Sequence, residues 1–257
     1  MPDPAPPFAL PGRTALVTGS SSGIGWAVAH ALARAGARVA LHGLETEEAL
    51  AALARTLPAQ AATVPVFSLD LAQAGNAEAL AGRAIAALGR VDILVLAAAV
   101  QYRRPWTAIT PEEFTRQIDV NLRATLVLLQ RLVPPMQEGG WGRVVTIGSV
   151  QQAKPHPEML VYAGTKAAQL SWVRNLAVQV GKDGVTVNNL APGIIDTPRN
   201  ADILPDAAAR VRVSAPVPVR RVGVPEDCAG AALLLCSDAG AYVNGADIVV
   251  DGGLGVA

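Results

Sequence analysis

Short apolar runs rich in β-branched residues alternate along this chain with longer, alanine-rich amphipathic stretches, and that alternation restricts the fold more than any other property of the sequence. The runs are TALV (14–17), RVALH (38–42), VPVFS (64–68), DILVL (92–96), RVVTI (143–147), VTVNNL (185–190) and DIVV (247–250). They read as seven strands. Helices are expected at 23–35, 45–57, 76–88, 111–132, 162–180 and 225–236. Strand and helix in regular turn favour an α/β architecture, a parallel sheet covered on both faces. The near-continuous apolar character of the runs agrees, because a strand buried on both faces shows no polar alternation. A chain of 257 residues fits one such domain, so a single domain over 1–257 is expected.

Charge narrows the partners. Lys and Arg number 21 and Asp and Glu number 21, so nothing draws the chain to nucleic acid or to an anionic membrane, and a small-molecule substrate is the expected partner. No apolar run reaches the roughly 18 residues of a membrane span. The start, MPDPAPPFALPG, lacks a basic then apolar leader pattern and is broken by prolines, so 1–11 reads as a loose N-terminal arm. Cys228 and Cys236 fall on one face of an expected helix, too far apart to pair. Buried thiols in a cytoplasmic protein are the expectation. The long connection 194–224 mixes a weak helix with prolines and reads as a lid over a substrate site.

The first strand runs into TGSSSGIGWAVAHALARAG, where Gly19, Gly23 and Gly25 surround Ser20, Ser21 and Ser22 and then open the helix that carries Ile24. Glycines let the backbone approach a pyrophosphate, and the free N–H groups at the helix start attract its charge. No lysine follows them, which excludes the P-loop of ATP and GTP hydrolases. After the second strand, Gly43 and Leu44 offer no cation for the 2′-phosphate of NADP, and Glu45 would repel it. The expected cofactor is NAD in preference to NADP, with His42 the one nearby group able to contact a phosphate.

LVYAGTKAAQL places Tyr162 and Lys166 one helical turn apart, on one face, in a chain with only two other lysines, Lys154 and Lys182. A tyrosine is a poor base near neutrality until a cation favours its phenolate. Ser149 closes GRVVTIGS after the fifth strand, and Asn121 sits in DVNLRATL. Together with DILVLAAAV, APGIIDT and VNGADIVVDGG, these motifs resemble the short-chain dehydrogenases and reductases over essentially the whole chain. The resemblance implies a doubly wound Rossmann fold in which Tyr162 moves the proton and Lys166 lowers its pKa and binds the nicotinamide ribose. It further implies that Ser149 polarises the substrate oxygen and that Asn121 helps hold a proton-relay water. It also places Asp70 and Leu71 near the adenine, Pro192 and Gly193 beside the nicotinamide, Ile195 and Thr197 at its carboxamide and phosphate, and no metal in the reaction.

One segment departs from the family. Leu96, Ala97, Ala98 and Ala99 stand where Asn-Asn-Ala-Gly is usual, which removes two amides and a glycine from the cofactor wall. Around the expected pocket, Gln101, Arg103, Gln151, His156 and Arg199 suit a sugar, polyol or small hydroxy acid. The leading expectation is an NAD(H)-linked oxidoreductase of a small polar alcohol or carbonyl. An NADPH-dependent carbonyl or 3-ketoacyl reductase and a non-catalytic dinucleotide-binding protein are the alternatives. The resemblance also implies a homotetramer built on helices 111–132 and 162–180 and the C-terminal segment.

Overall fold

The structure is a computed structural model that describes residues 6–58 and 63–257. Seven strands, β1 (Thr14–Thr18), β2 (Arg38–Gly43), β3 (Val66–Ser68), β4 (Ile93–Leu96), β5 (Gly142–Ile147), β6 (Val185–Pro192) and β7 (Asp247–Val250), form one sheet. Every pairing is parallel, in the order β3-β2-β1-β4-β5-β6-β7. The helices are α1 (Gly23–Arg34), α2 (Glu47–Ala54), α3 (Asn76–Leu88), α4 (Pro111–Ile118), α5 (Ala124–Glu138), α6 (Leu160–Val180), α7 (Ala207–Ser214) and α8 (Pro225–Cys236). This is the parallel, single-domain α/β sheet that the alternation favours, doubly wound as the family resemblance implies.

Strand periodicity divides the core into two layers. On β4, Leu94 and Leu96 face the layer of α3, α5 and α6, where Leu80, Leu128, Leu132 and Val173 are buried. Ile93 and Val95 face the other layer, where α1 and α8 contribute Val28, Leu32, Leu235 and both buried cysteines. Each fully buried aliphatic side chain of this kind contributes about 1.5–3 kcal/mol. Burial pushes the Cys228 and Cys236 thiols up to about 12, so they are inert packing groups. Among the described residues, no helix is long and apolar enough to cross a membrane.

Two expectations need correction. Residues 6–11 are not loose: Leu10 is buried, its N–H donates to the Ala35 carbonyl, and the Pro7 carbonyl accepts from Ala239. Residues 1–5 of that arm lie outside the described residues. The helix expected at 111–132 is three pieces. α4 starts on a capping box, with Thr110 Oγ1 accepting from the Glu113 N–H and Glu113 reaching back. A π turn, Asp119–Arg123, follows, with the Ala124 N–H bonded five residues back to Asp119. α5 then runs past 132 through Pro134 and Pro135, because Val133 and Met136 keep their places in the core.

Candidate active site

β1 and β4 are neighbours whose following connections diverge to opposite sides of the sheet, and the crevice beyond their C-terminal ends is where an open α/β sheet receives a ligand. The glycine turn fills the floor of that crevice. Gly19 and Gly23 have φ of +62° and +54°. A Cβ on Gly25 would lie 2.2 Å from the Gly19 carbonyl oxygen, and one on Gly19 would lie 2.8 Å from Ala98 Cα. Ser22 is the N-cap of α1 but its side chain makes no capping bond, so the first N–H groups of the helix are open to an anion. These features fit a dinucleotide pyrophosphate.

Two adjoining clefts flank the turn and share Gly19, Ser22, Ala97 and Arg199. The larger, ≈ 340 Å³, gathers Gly23, Ile24 and Gly25 with Ser149, Tyr162, Pro192, Gly193, Ile195 and Thr197. It also gathers all five expected substrate residues, Gln101, Arg103, Gln151, His156 and Arg199. The smaller, ≈ 200 Å³, gathers Ser21, Gly43, Leu44, Asp70, Leu71, Ala98 and Ala99. Asn121 and Lys166 lie beneath the clefts, at 0% and 1% exposure. Sequence reasoning missed Arg116, which reaches the smaller cleft from α4 and pairs with Asp70 at 3.0 Å. Their 46-residue separation left no local signal.

His42 does not serve as a phosphate contact. Its Nδ1 accepts from the Gly19 N–H at 3.1 Å and its Nε2 bonds the Leu69 carbonyl at 2.9 Å. Both ring nitrogens are thus committed, and burial lowers its pKa and keeps it neutral. Leu44, by contrast, is exposed.

The unusual 96–99 segment is braced by other groups. Leu96 is buried in the core, and the Ala97 and Ala98 N–H groups both donate to Thr18 Oγ1 at 3.1 Å. Asn121 clamps the next residue, accepting from the Val100 N–H at 2.8 Å and donating to its carbonyl at 2.9 Å. Where the family has amides, this chain thus has apolar contact at Leu96 and a hydroxyl, Thr18 Oγ1, that takes two backbone N–H groups.

Tyr162 lines the larger cleft and is 4% exposed, with Lys166 Nζ 5.6 Å from its ring centroid. Lys166 donates to the Ile147 carbonyl at 2.7 Å and to Gln169 Oε1 at 2.9 Å. Burial, and secondarily Arg199, bring its pKa down to about 7. Ser149 Oγ accepts from the Gln151 N–H at 3.2 Å, which orients the hydroxyl and leaves its proton to give. Asn121 is held by the protein through both its side chain and its carbonyl. Its side chain bonds Val100 and Thr165 Oγ1, and its carbonyl accepts from Gln169 Nε2 and Thr125 Oγ1. Both lone pairs are then filled.

The connection after β6 lies against this site through Thr197, Arg199, Asn200 and Asp202. Arg199 donates to the Ala99 carbonyl at 2.9 Å, while Arg103 holds Asp202 at 2.5 Å and Asn200 at 3.0 Å. Thr197 packs on Gly23. His156 Nδ1 accepts from the Glu158 N–H within its own loop. Gln151 Oε1 is buried with no hydrogen-bond partner among the described residues. Among those residues, no group of three or more His, Cys, Asp or Glu side chains is placed to share a metal ion.

Comparison with known proteins matches this geometry over nearly the full chain. A family model described as enoyl-(acyl carrier protein) reductase matches residues 19–255. Bovine (Bos taurus) dehydrogenase/reductase SDR family member 4 is 35% identical over 245 residues, covering 95% of this chain and 88% of its own. D-threitol dehydrogenase of Mycolicibacterium smegmatis is 34% identical over 255 residues, covering 96% and 94%. Among solved structures, a 3-oxoacyl (acyl-carrier-protein) reductase from Agrobacterium tumefaciens with NADP bound superposes with a TM-score of 0.90 at 41% identity, covering 96% and 95%. A gluconate 5-dehydrogenase from Burkholderia cenocepacia in complex with NADP and tartrate gives 0.90 at 34% identity, covering 98% of each chain. With the glycine turn at the sheet crossover, Tyr162 and Lys166 on one helix face and Ser149 across the cleft, these matches establish that the chain belongs to the short-chain dehydrogenase/reductase family.

Proposed function

We propose that the protein is a nicotinamide-dependent oxidoreductase that interconverts a small polar alcohol, of the sugar, polyol or hydroxy-acid type, and its carbonyl. The observation that carries this reading is the meeting of Ser149 and Tyr162 on one cleft with the buried Lys166 ammonium beneath the tyrosine. When bound, the nicotinamide ring gives or takes the hydride. Ser149 donates a hydrogen bond to the substrate oxygen, and Tyr162 Oη gives or takes the proton at that oxygen. Lys166 favours the phenolate through its charge. D-threitol and gluconate, named for two of the relatives, are alcohols of the proposed class. Tyr162→Phe is expected to abolish turnover on a polyol and aldonate panel while NADH titration, followed by nicotinamide fluorescence, stays unchanged. Retained turnover refutes the proton-transfer role.

For the cofactor, NAD is proposed over NADP. Leu44 puts an uncharged side chain at the mouth of the smaller cleft, and the Glu45 carboxylate folds back beside Gly43, within 2.4 Å of where a Cβ would stand. A carboxylate there suits two ribose hydroxyls and opposes a phosphate. NADP bound to the solved relatives supports the second reading, an NADPH-linked carbonyl or 3-oxoacyl reductase, and Arg116 in the same cleft is its cation. Parallel titration with NADH and NADPH decides between them. The segment 194–224 is proposed as a lid, held shut by the Arg199 and Arg103 contacts and opened for cofactor entry. A homotetramer is proposed through the α5 and α6 face, where Leu126, Val133, Trp172 and Leu176 line an apolar groove, and through exposed Tyr242, Val249 and Val256 near the C-terminus.

A further inference from the structure

Gln169 lies one turn beyond Lys166 on α6, 1% exposed, on the helix face that also buries Thr165, Val173 and Ala177. An amide in such a stripe costs stability unless its polar atoms are all engaged. Here they are. Oε1 accepts from Lys166 Nζ at 2.9 Å, and Nε2 donates to the Asn121 carbonyl at 2.6 Å and to Thr125 Oγ1 at 3.1 Å. The orientation of the amide is dictated by its partners, because an ammonium only donates and a carbonyl only accepts. The Asn121 carbonyl lies in the π turn Asp119–Arg123. Thr125, at 2.9 Å, takes its second lone pair.

Lys166 thereby has two of its three N–H donors fixed by protein, one by the Ile147 carbonyl and one by Gln169. We propose that Gln169 is a positioning residue of the active site, whose amide bridges Lys166 to the Asn121 carbonyl and holds the ammonium in place beneath Tyr162. The proposal rests on the reading of Tyr162 and Lys166 as the acid/base pair. The titratable and charged groups facing Lys166 are Tyr162 on its own helix and Arg199 from the turn Pro198–Asn200. β5 contributes the neutral Ile147 carbonyl, and Gln169 joins Lys166 to the π turn and the start of α5.

The scarcity of lysine makes the test direct. Protein labelled with 15N at lysine Nζ gives three side-chain signals, from Lys154, Lys166 and Lys182, assigned with Lys154→Arg and Lys182→Arg. Lys166, which burial brings down to about 7 in the parent, is expected to fall by about one further pH unit in Gln169→Met, which keeps length and removes the acceptor. The other two signals stay where they were. The acid limb of the pH profile for alcohol oxidation moves up in the same variant, with kcat lowered about tenfold and KM little changed. An unmoved Lys166 midpoint in folded Gln169→Met overturns the proposal. Should that variant fail to fold, Gln169→Glu sets a carboxylate against the ammonium and is expected to raise the midpoint, and no rise overturns the proposal equally. Tyr162→Phe separates the two layers: full turnover in that variant removes the acid/base reading, whereas an unmoved Lys166 signal beside a dead Tyr162→Phe removes only the role of Gln169.

Discussion

Replacing Gly19 by alanine tests the cofactor turn with an internal control. Gly19 and Gly12 both have left-handed backbones, φ +62° and +73°, so alanine at either pays the same conformational penalty, about 1–2 kcal/mol. Their surroundings differ. A Cβ on Gly12 meets nothing within 4 Å, while one on Gly19 lies 2.8 Å from Ala98 Cα and from Ala98 N, backbone atoms that cannot swing aside. Overpacking of that kind adds about 1–3 kcal/mol. The separation of β1 from the 97–99 segment must widen, and the N–H that Gly19 donates to His42 moves with it. Urea unfolding at matched protein concentration is expected to place Gly19→Ala below Gly12→Ala by that increment. NADH titration is expected to show affinity lowered about tenfold or more for Gly19→Ala and unchanged for Gly12→Ala. Equal stability losses in the two variants, with NADH affinity intact in both, refute the assignment of this turn as the cofactor floor.

Three further outcomes are expected. The folded state lowers the pKa of Lys166 from 10.5 to about 7, so between those values the unfolded chain binds more protons; stability contributed by this site rises with pH across that window, and Lys166→Met flattens the rise seen by chemical denaturation. Leu44→Arg, on an exposed position at the smaller cleft, is expected to raise NADPH affinity about tenfold through a charge-assisted pair with the 2′-phosphate, and equal NADPH binding in the parent would contradict the placement of Leu44. Leu126→Asp puts a charge into the α5 and α6 groove and is expected to dissociate the assembly in sedimentation velocity, whereas a parent protein that already sediments as a single chain removes the proposed tetramer.

The features legible in the sequence were those carried by neighbours along the chain. β-branched runs marked all seven strands to within a few residues, and the spacing of Tyr162 and Lys166 placed both on one face of α6. The polar partnerships were not legible, because a side chain's partner is chosen by the fold. The π turn interrupts a periodic stretch that reads as continuous helix, and Asn121 within it binds Val100 and Thr165, 21 and 44 residues distant. His42 looked available until the backbone at 19 and 69 closed on both its nitrogens. Gln169 had a signal that went unused, a polar residue at i+3 from Lys166 on a face otherwise committed to the core.

The same distinction reorders the expected substrate residues. Arg103 is committed to Asp202 and Asn200, Arg199 to the Ala99 carbonyl, and His156 to its own turn. A substrate using any of them must displace an interaction already made. Gln151 differs, for its Oε1 is a buried acceptor that lines the larger cleft without a protein hydrogen bond among the described residues. A substrate hydroxyl that donates to it makes a hydrogen bond worth about 0.5–1.5 kcal/mol. Discrimination therefore follows from the same atom: an analogue lacking the hydroxyl leaves Gln151 unmet and is rejected, while Gln151→Leu is expected to narrow the difference in kcat/KM between the hydroxylated and deoxy forms. If the two forms are discriminated equally well by Gln151→Leu and by the parent, the hydroxyl is read elsewhere in the cleft.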